Sequence, residues 1–532
     1  MSIMFALTDS IAHIKKRISR KDIAVMVMLV VLFFATRLTN LLALPIFSDE
    51  GIYIHWAKIA TYDPAWRFIS LTDGKQPLQT WGTIPFIKLM PDQLLLAGRL
   101  FSVSTGLLAL TGIVALAGYL WGKRAGLLAG MLYIVTPYFL FYDRIALVDS
   151  GVNAAVIWIM FLSLVLARSM RLDVAMIFGF VAGVGLLAKS SVALFFALSI
   201  LAGLVVLPIP ANIFNLSHWL DMLQKKRIWI VNYVFLFLVS VTIALALYLV
   251  QKFFSPFFHY IAQKNLTFIL SPQEWLSNPF QLVGTNIWMV PLYVAWEIGW
   301  LPMIFGVIGI IRLFRKNRPL ALFFLAWILV PFLLIINFNK VVFPRYLIFF
   351  PTFITLLTVY ALEEFRRSTL KKYTHAITVM LITTLVLLSA PMWFDVKALS
   401  LPPVDRGQYI EGKTAVWGAA ELMQIVRSST ADGKRAIVLA EGNFGLIADV
   451  LHVFVKPDDI IDIRGQWPLN EEHILEAQKE TGDHHVFVVF SHRDNFAVHW
   501  QEELMTLIRV YEKPGEGTDA VYLFQLNAPR KD

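Results

Sequence analysis

The sequence predicts an α-helical polytopic membrane protein of about eleven transmembrane helices, followed by a soluble C-terminal α/β domain. Three observations carry that expectation. Long uncharged apolar runs recur over the first three quarters of the 532 residues. The segments joining alternate runs are short and basic. From about Lys397 the pattern changes to brief apolar runs alternating with charged, helix-like stretches.

Composition agrees. Apolar residues make up 58% of the chain and charged residues 16%, against roughly 45–50% and about 25% in soluble domains. The net charge of +9 sits mostly in short loops between apolar runs, where Lys and Arg set orientation; no nucleic-acid partner is expected. There are no cysteines, which excludes disulfides, thiolate metal sites and thiol nucleophiles.

The first run, about Ile23 to Leu44, follows Lys15, Lys16, Arg17, Arg20 and Lys21. It is too long for a signal peptide and lacks a small-residue cleavage site. It is expected to be an uncleaved first helix with a cytoplasmic N-terminus. Further helices are expected at about 94–120, 125–141, 152–167, 174–188, 191–208, 229–250, 289–311, 319–337, 346–362 and 375–394. The segments this layout puts inside contain Lys123-Arg124, Arg168 and Arg171, Lys225 to Arg227, Arg312 to Arg318 and Arg366 to Lys372. Each is short and basic, as the positive-inside rule requires. The short spans 174–188 and 191–208, split by Lys189-Ser190-Ser191, have a second reading as a re-entrant hairpin; downstream topology is the same. The expected location is the plasma (inner) membrane, with residues 396–532 extracytoplasmic.

Two outer loops are substantial. Residues 45–93 hold charges, tryptophans and an apolar stretch near Thr83–Met90 that suits helices lying along the interface. Residues 251–288 are rich in aromatic and amide groups, with Pro256, Pro272 and Pro279 as breakers. After the linker at 401–403, Ala419–Val426 and Glu471–Glu480 read as helices, and Ala436–Ala440, Val486–Phe490 and Val521–Gln525 as buried strands.

On this layout most unusual charges fall at one membrane face: Asp49, Glu50, Lys75, Arg99, Asp143, Arg144, Asp149, Lys189, Lys340 and Arg345. Acids and bases at helix ends point to an interfacial polar site, whereas charges spread through helix centres would mark an ion path. Sugar transfer from a lipid phosphate requires such a set. A carboxylate takes the acceptor hydroxyl's proton, and cations stabilise the charge growing on the departing phosphate. Each residue also has a plainer reading. Asp49-Glu50 is also a solvated loop pair, Lys75 and Arg345 are also snorkelling anchors, and Arg144 with Asp149 also makes a surface ion pair. Lys189 is harder to dismiss, since it interrupts a long uncharged stretch at a cost of about 2.5–3.5 kcal/mol if placed in mid-membrane.

Order and spacing add a resemblance. Phe47-Ser48-Asp49-Glu50-Gly51-Ile52-Tyr53 resembles the acidic first-loop motif of glycosyltransferase family 39, the group of protein O-mannosyltransferases and lipid A aminoarabinose transferases. Lys75-Gln76-Pro77-Leu78 with Trp81 is similar to its Lys-Pro-Pro-Leu segment, and Gly98-Arg99-Leu100-Phe101-Ser102 to its Arg-Leu-x-Ser helix start. Arg144 to Asp149 resembles the second acidic turn, Gly185 to Lys189 the family's helix break, and Pro344-Arg345-Tyr346 its late Arg-Tyr. The likeness covers roughly residues 23–395.

It implies a GT-C fold over residues 1–395 and an inverting transfer from an undecaprenyl- or dolichyl-phosphate sugar to a protein, lipid or glycan acceptor. It also implies Asp49 as catalytic base with Glu50 beside it, and Asp149 as a second acid. Lys75, Lys189, Arg345 and Arg144 become donor-phosphate ligands. A divalent metal (Mg, Mn or Zn) held by Asp49 and Asp149 is left open. Gln76, Gly74 and Ser190 depart from the pattern. No Trp-Trp-Asp motif of the oligosaccharyltransferase kind is present. Asp405 to Gly412 resembles the entry to soluble tails of some bacterial members. The competing class is a polytopic transporter or lipid flippase, against which stands the absence of two equivalent halves. A sensor or assembly protein would leave the loop charges unexplained.

Overall fold

The computed structural model describes residues 19–207, 216–442, 444–515 and 520–529. The basic cluster Lys15 to Arg17 lies outside them. Arg20 and Lys21 open the first helix, α1 (Arg20–Leu38), behind a capping box between Ser19 and Asp22. The long loop that follows folds into strand β1 (Ile46–Phe47), α2 (Ser48–Tyr62) and α3 (Leu78–Leu89).

The bundle continues with α4 (Leu94–Trp121) and α5 (Lys123–Val135). The predicted span 125–141 breaks at Thr136, which the following Pro137 holds in extended backbone. Next come α6 (Asp149–Ser169), α7 (Leu172–Leu186), α8 (Val192–Leu198), α9 (Arg227–Phe254) and the second-loop helix α10 (Tyr260–Phe268). The series ends with α11 (Val283–Ile298), α12 (Trp300–Lys316), α13 (Arg318–Phe338), α14 (Phe349–Arg366) and α15 (Lys371–Ser389).

Among the described residues, five helical segments are long and apolar enough to cross a membrane: α4, α6, α9, α13 and Lys371–Phe394. α11 and α12 together make a sixth, but they are bent by 112°. The sequence reads 289–311 as one continuous helix. The structure breaks it at Gly299, whose φ of +81° suits glycine, and Pro302 falls in the first turn beyond. α7 is 15 residues long, about 22 Å at the usual rise.

The C-terminal domain is a five-stranded sheet in the order β4-β3-β5-β7-β6, built from β3 (Ala436–Glu441), β4 (Ile461–Gln466), β5 (His485–Phe490), β6 (Met505–Glu512) and β7 (Ala520–Leu526). The β3, β4 and β5 strands run parallel, and β7 is antiparallel to β5 and β6. The period-2 pattern explains its two faces. Val438, Ala440, Phe487 and Val489 face α16 (Ala419–Ser429) and α17 (Ile447–Phe454), in one core with Ile54, Ala57 and Ala97 of the helical half. Ile437, Leu439, Val486 and Val488 pack on the other side with Ile474 of α18 (Glu471–Gln478). The sequence reading finds β3, β5 and β7. It misses β4, where Asp462, Arg464 and Gln466 interrupt the apolar pattern, and β6, which is largely exposed.

A two-stranded ribbon ties the halves together. β1 pairs antiparallel with β2 (Ala415–Val416), Ile46 opposite Val416 and Phe47 opposite Ala415.

Candidate functional site

A cavity of about 550 Å³ opens where helix ends meet the loops after α1 and α9. Its polar side is formed by Asp49 and Tyr53 of α2, Lys75, Asp149 at the start of α6, Lys189 between α7 and α8, Lys264 and Asn265 of α10, and Arg345 and Tyr346. Its apolar lining includes Val152, Leu334, Ile335, Ile348 and Phe349.

Local structure places each acid. Phe47 caps α2 in extended conformation, so Asp49 falls in the first helical turn, where free amide groups favour a carboxylate. Arg345 Nη1 donates to Asp49 Oδ2 at 2.9 Å, and Lys75 Nζ lies 3.4 Å from Oδ1. Burial works to raise the Asp49 carboxyl, but Lys75 and Arg345 outweigh it and hold it well below the usual carboxylate range. Burial, with Asp49 and Asp149 adding to it, pushes the Tyr53 phenol well above its ordinary value, so it stays neutral. Asp149 pairs with Lys189 at 2.9 Å, and the Lys189 ammonium sits 4.2 Å above the Tyr346 ring.

Four cations and two carboxylates thus line the cavity, which leaves net positive charge for an anionic ligand. Arg345 Nε is buried and makes no hydrogen bond.

Five of the seven residues picked from sequence therefore meet: Asp49, Asp149, Lys75, Lys189 and Arg345. Glu50 and Arg144 do not. Glu50 is 1% exposed, and its two oxygens accept from Arg99 Nη2 at 2.9 Å, Arg99 Nε at 3.0 Å, Phe47 N at 3.1 Å and Ala146 N at 2.7 Å. Its lone pairs are spent bracing α2 against α4. Arg144 is fully buried and donates to the carbonyls of Met392, Thr39 and Asn40, joining the ends of α1 and α15. It makes no pair with Asp149. Asp143 is likewise buried, against Arg37 at 3.0 Å. Lys340 pairs with Glu274.

The sequence reading misses Lys264 and Asn265, and it quotes Tyr53 and Tyr346 in motifs without giving them a role. Lys264 binds Asp73 at 2.7 Å, and Lys75 lies 3.6 Å from the same carboxylate. The available signal was a lone Lys-Asn pair in an aromatic loop, too sparse to separate from loop polarity.

The acids give weak support to a resident divalent ion. Among the described residues no group of three or more His, Asp or Glu is arranged to hold one. Asp49 and Asp149 each already bind a cationic side chain.

This arrangement, a bundle of apolar helices with a polar cavity at its loop-bearing end and a sheet domain against it, shares its overall fold with solved structures. The chain superposes on ArnT from Cupriavidus metallidurans, in the apo state with a TM-score of 0.54 at 16% identity, and bound to undecaprenyl phosphate with 0.55 at 15%. Both matches cover 94% of this chain and 97% of the other. It also resembles the archaeal oligosaccharyltransferase AglB from Archaeoglobus fulgidus, in complex with an inhibitory peptide and a dolichol-phosphate, with a TM-score of 0.51 at 13% identity over 88% of this chain and 69% of that one. No protein-family model matches the chain, and no curated protein matches it.

Proposed function

We propose that this protein is an integral-membrane inverting glycosyltransferase. It moves a sugar from an undecaprenyl- or dolichyl-phosphate donor to a hydroxyl of a protein, lipid or glycan acceptor on the outer face of the plasma membrane. The observation that carries the reading is Asp49 held between Arg345 and Lys75 in a cavity lined by both cations and apolar side chains. A lipid phosphate needs that combination, a charged niche for its headgroup and an apolar flank for its tail. The fold neighbours solved with undecaprenyl phosphate and dolichol-phosphate support the donor class.

In the proposed reaction the acceptor oxygen attacks the anomeric carbon while its proton passes to a carboxylate oxygen of Asp49. The new oxygen–carbon bond forms as the bond from that carbon to the phosphate oxygen breaks, with inversion. The electron pair leaves on the polyprenyl phosphate, where Lys75, Lys264, Lys189 and Arg345 stabilise it. In the free site Asp49 is a weak base because two cations hold its charge. An arriving phosphate competes for those cations and restores basicity at the moment of use.

Asp49→Asn tests the assignment. Turnover should fall by roughly 10²–10⁴, while undecaprenyl phosphate binding is kept, since Lys75 and Arg345 are then free for the phosphate. Near-normal sugar transfer by this variant would remove Asp49 from the role of base.

A further inference from the structure

A loop of the C-terminal domain reaches Lys75 of the candidate site. Between β3 and α17 that loop carries Phe444, 43% exposed, whose ring stacks on Trp56 of α2 at 5.8 Å and 30°. The Lys75 ammonium lies 5.1 Å from the ring centre of Tyr53, 5.6 Å from that of Trp56 and 5.8 Å from that of Phe444. All three distances fall within cation–π range. Lys75 is therefore held on one side by Asp49 and Asp73 and on another by three aromatic faces, one supplied by the outer domain.

The loop itself is fixed to the base-bearing helix. Asp449 binds His55 of α2 through Oδ1 at 2.7 Å and accepts from Gly445 N through Oδ2 at 2.9 Å. One carboxylate so joins the residue after Phe444 to α2. Gly445 has a φ of +73°, a turn that few other residues hold. Val450 packs so closely on α2 that a side-chain carbon at Gly51 would lie 2.8 Å from it.

We propose that the outer domain supplies a working part of the site: Phe444 is a positioning residue that, with Tyr53 and Trp56, cages the Lys75 ammonium, and Asp449 positions Phe444. This rests on Lys75 being a donor-phosphate ligand. The aromatic faces pin the ammonium in direction without neutralising it, as a third carboxylate contact would. Lys75 thus keeps its charge for the phosphate while losing the freedom of its long stem, which lowers the ordering cost of binding.

The test is binding of undecaprenyl phosphate to the full-length protein in detergent, compared among wild type, Phe444→Ala, Phe444→Leu, Phe444→Trp and Lys75→Ala. Phe444→Ala and Phe444→Leu should each weaken binding by roughly 3- to 30-fold, the range set by cation–π strengths. Phe444→Trp should restore it, and Asp449→Asn should weaken it by a smaller factor. A Leu variant that binds like wild type shows that Phe444 only fills space, and overturns the proposal. If Lys75→Ala weakens binding while every Phe444 variant is unaffected, the proposal falls and the phosphate reading stands. If wild type binds neither undecaprenyl nor dolichyl phosphate, both fall together.

Discussion

Asp49 and Glu50 are neighbours in sequence and opposites in environment. Asp49 looks into the cavity between two cations, and Glu50 turns into the protein to brace Arg99. Glu50→Ala would leave the Arg99 guanidinium buried without its partner, a loss of about 3–5 kcal/mol. A lower melting point in detergent is the expected result, with turnover per folded molecule little changed.

Asp405, in the linker to the C-terminal sheet domain, lies buried beside Glu297. Burial pushes its carboxyl up to about 7, although Tyr142 donates to it at 2.5 Å and Arg345 is near. Its folded form keeps a proton that the unfolded chain releases near pH ~4. Between about pH 4 and about 7, therefore, rising pH favours the unfolded state, and the contribution is lost above that window. Melting points measured at pH 5 and pH 8 should fall with pH for the wild type, and Asp405→Asn should flatten that slope.

At the scale of elements, the break between α11 and α12 depends on one residue. Gly299 combines φ +81° with ψ +153°, a region nearly closed to other residues, and an added side-chain carbon would sit 3.2 Å from Leu388. Gly299→Ala should cost about 1–3 kcal/mol, read as a drop in melting point. Continuous apolar composition hides such a bend, because hydropathy reports what a segment touches and not the path of its backbone. The break after α7 was easier to find. Lys189 is too costly to bury alone, and here it meets Asp149 and the Tyr346 ring where the chain leaves the helix. Strands β3, β5 and β7 were legible from their apolar runs. β4 and β6 were not, since polar and exposed edge strands carry no such mark.

At the scale of the whole molecule, the cavity gathers residues from α2, the loop after it, α6, the α7–α8 break, α10 and the turn before α14. The C-terminal domain closes on the same place through β2 and α17. The proposed orientation puts that domain outside and the loop after α12 inside. Because the chain has no cysteine, single replacements report sidedness directly. Asp458→Cys and Arg315→Cys, both exposed, are suited to this. A membrane-impermeant maleimide should label the first on intact cells and the second only after permeabilisation; the reverse pattern would invert the topology.

What the sequence determined by itself is the material: apolar runs fit to cross a bilayer, basic joints between them, a C-terminal sheet domain, and acids and bases collected near helix ends. Those follow from composition and period, which are local. Only the tertiary structure decided which charges meet. Asp49 and Glu50 differ by one position in a helix, and Arg144 and Arg345 are alike in type. One of each pair faces the cavity and the other is consumed by buried carbonyls or a buried partner. That choice depends on which groups lie across the fold, from tens to hundreds of residues away in the chain.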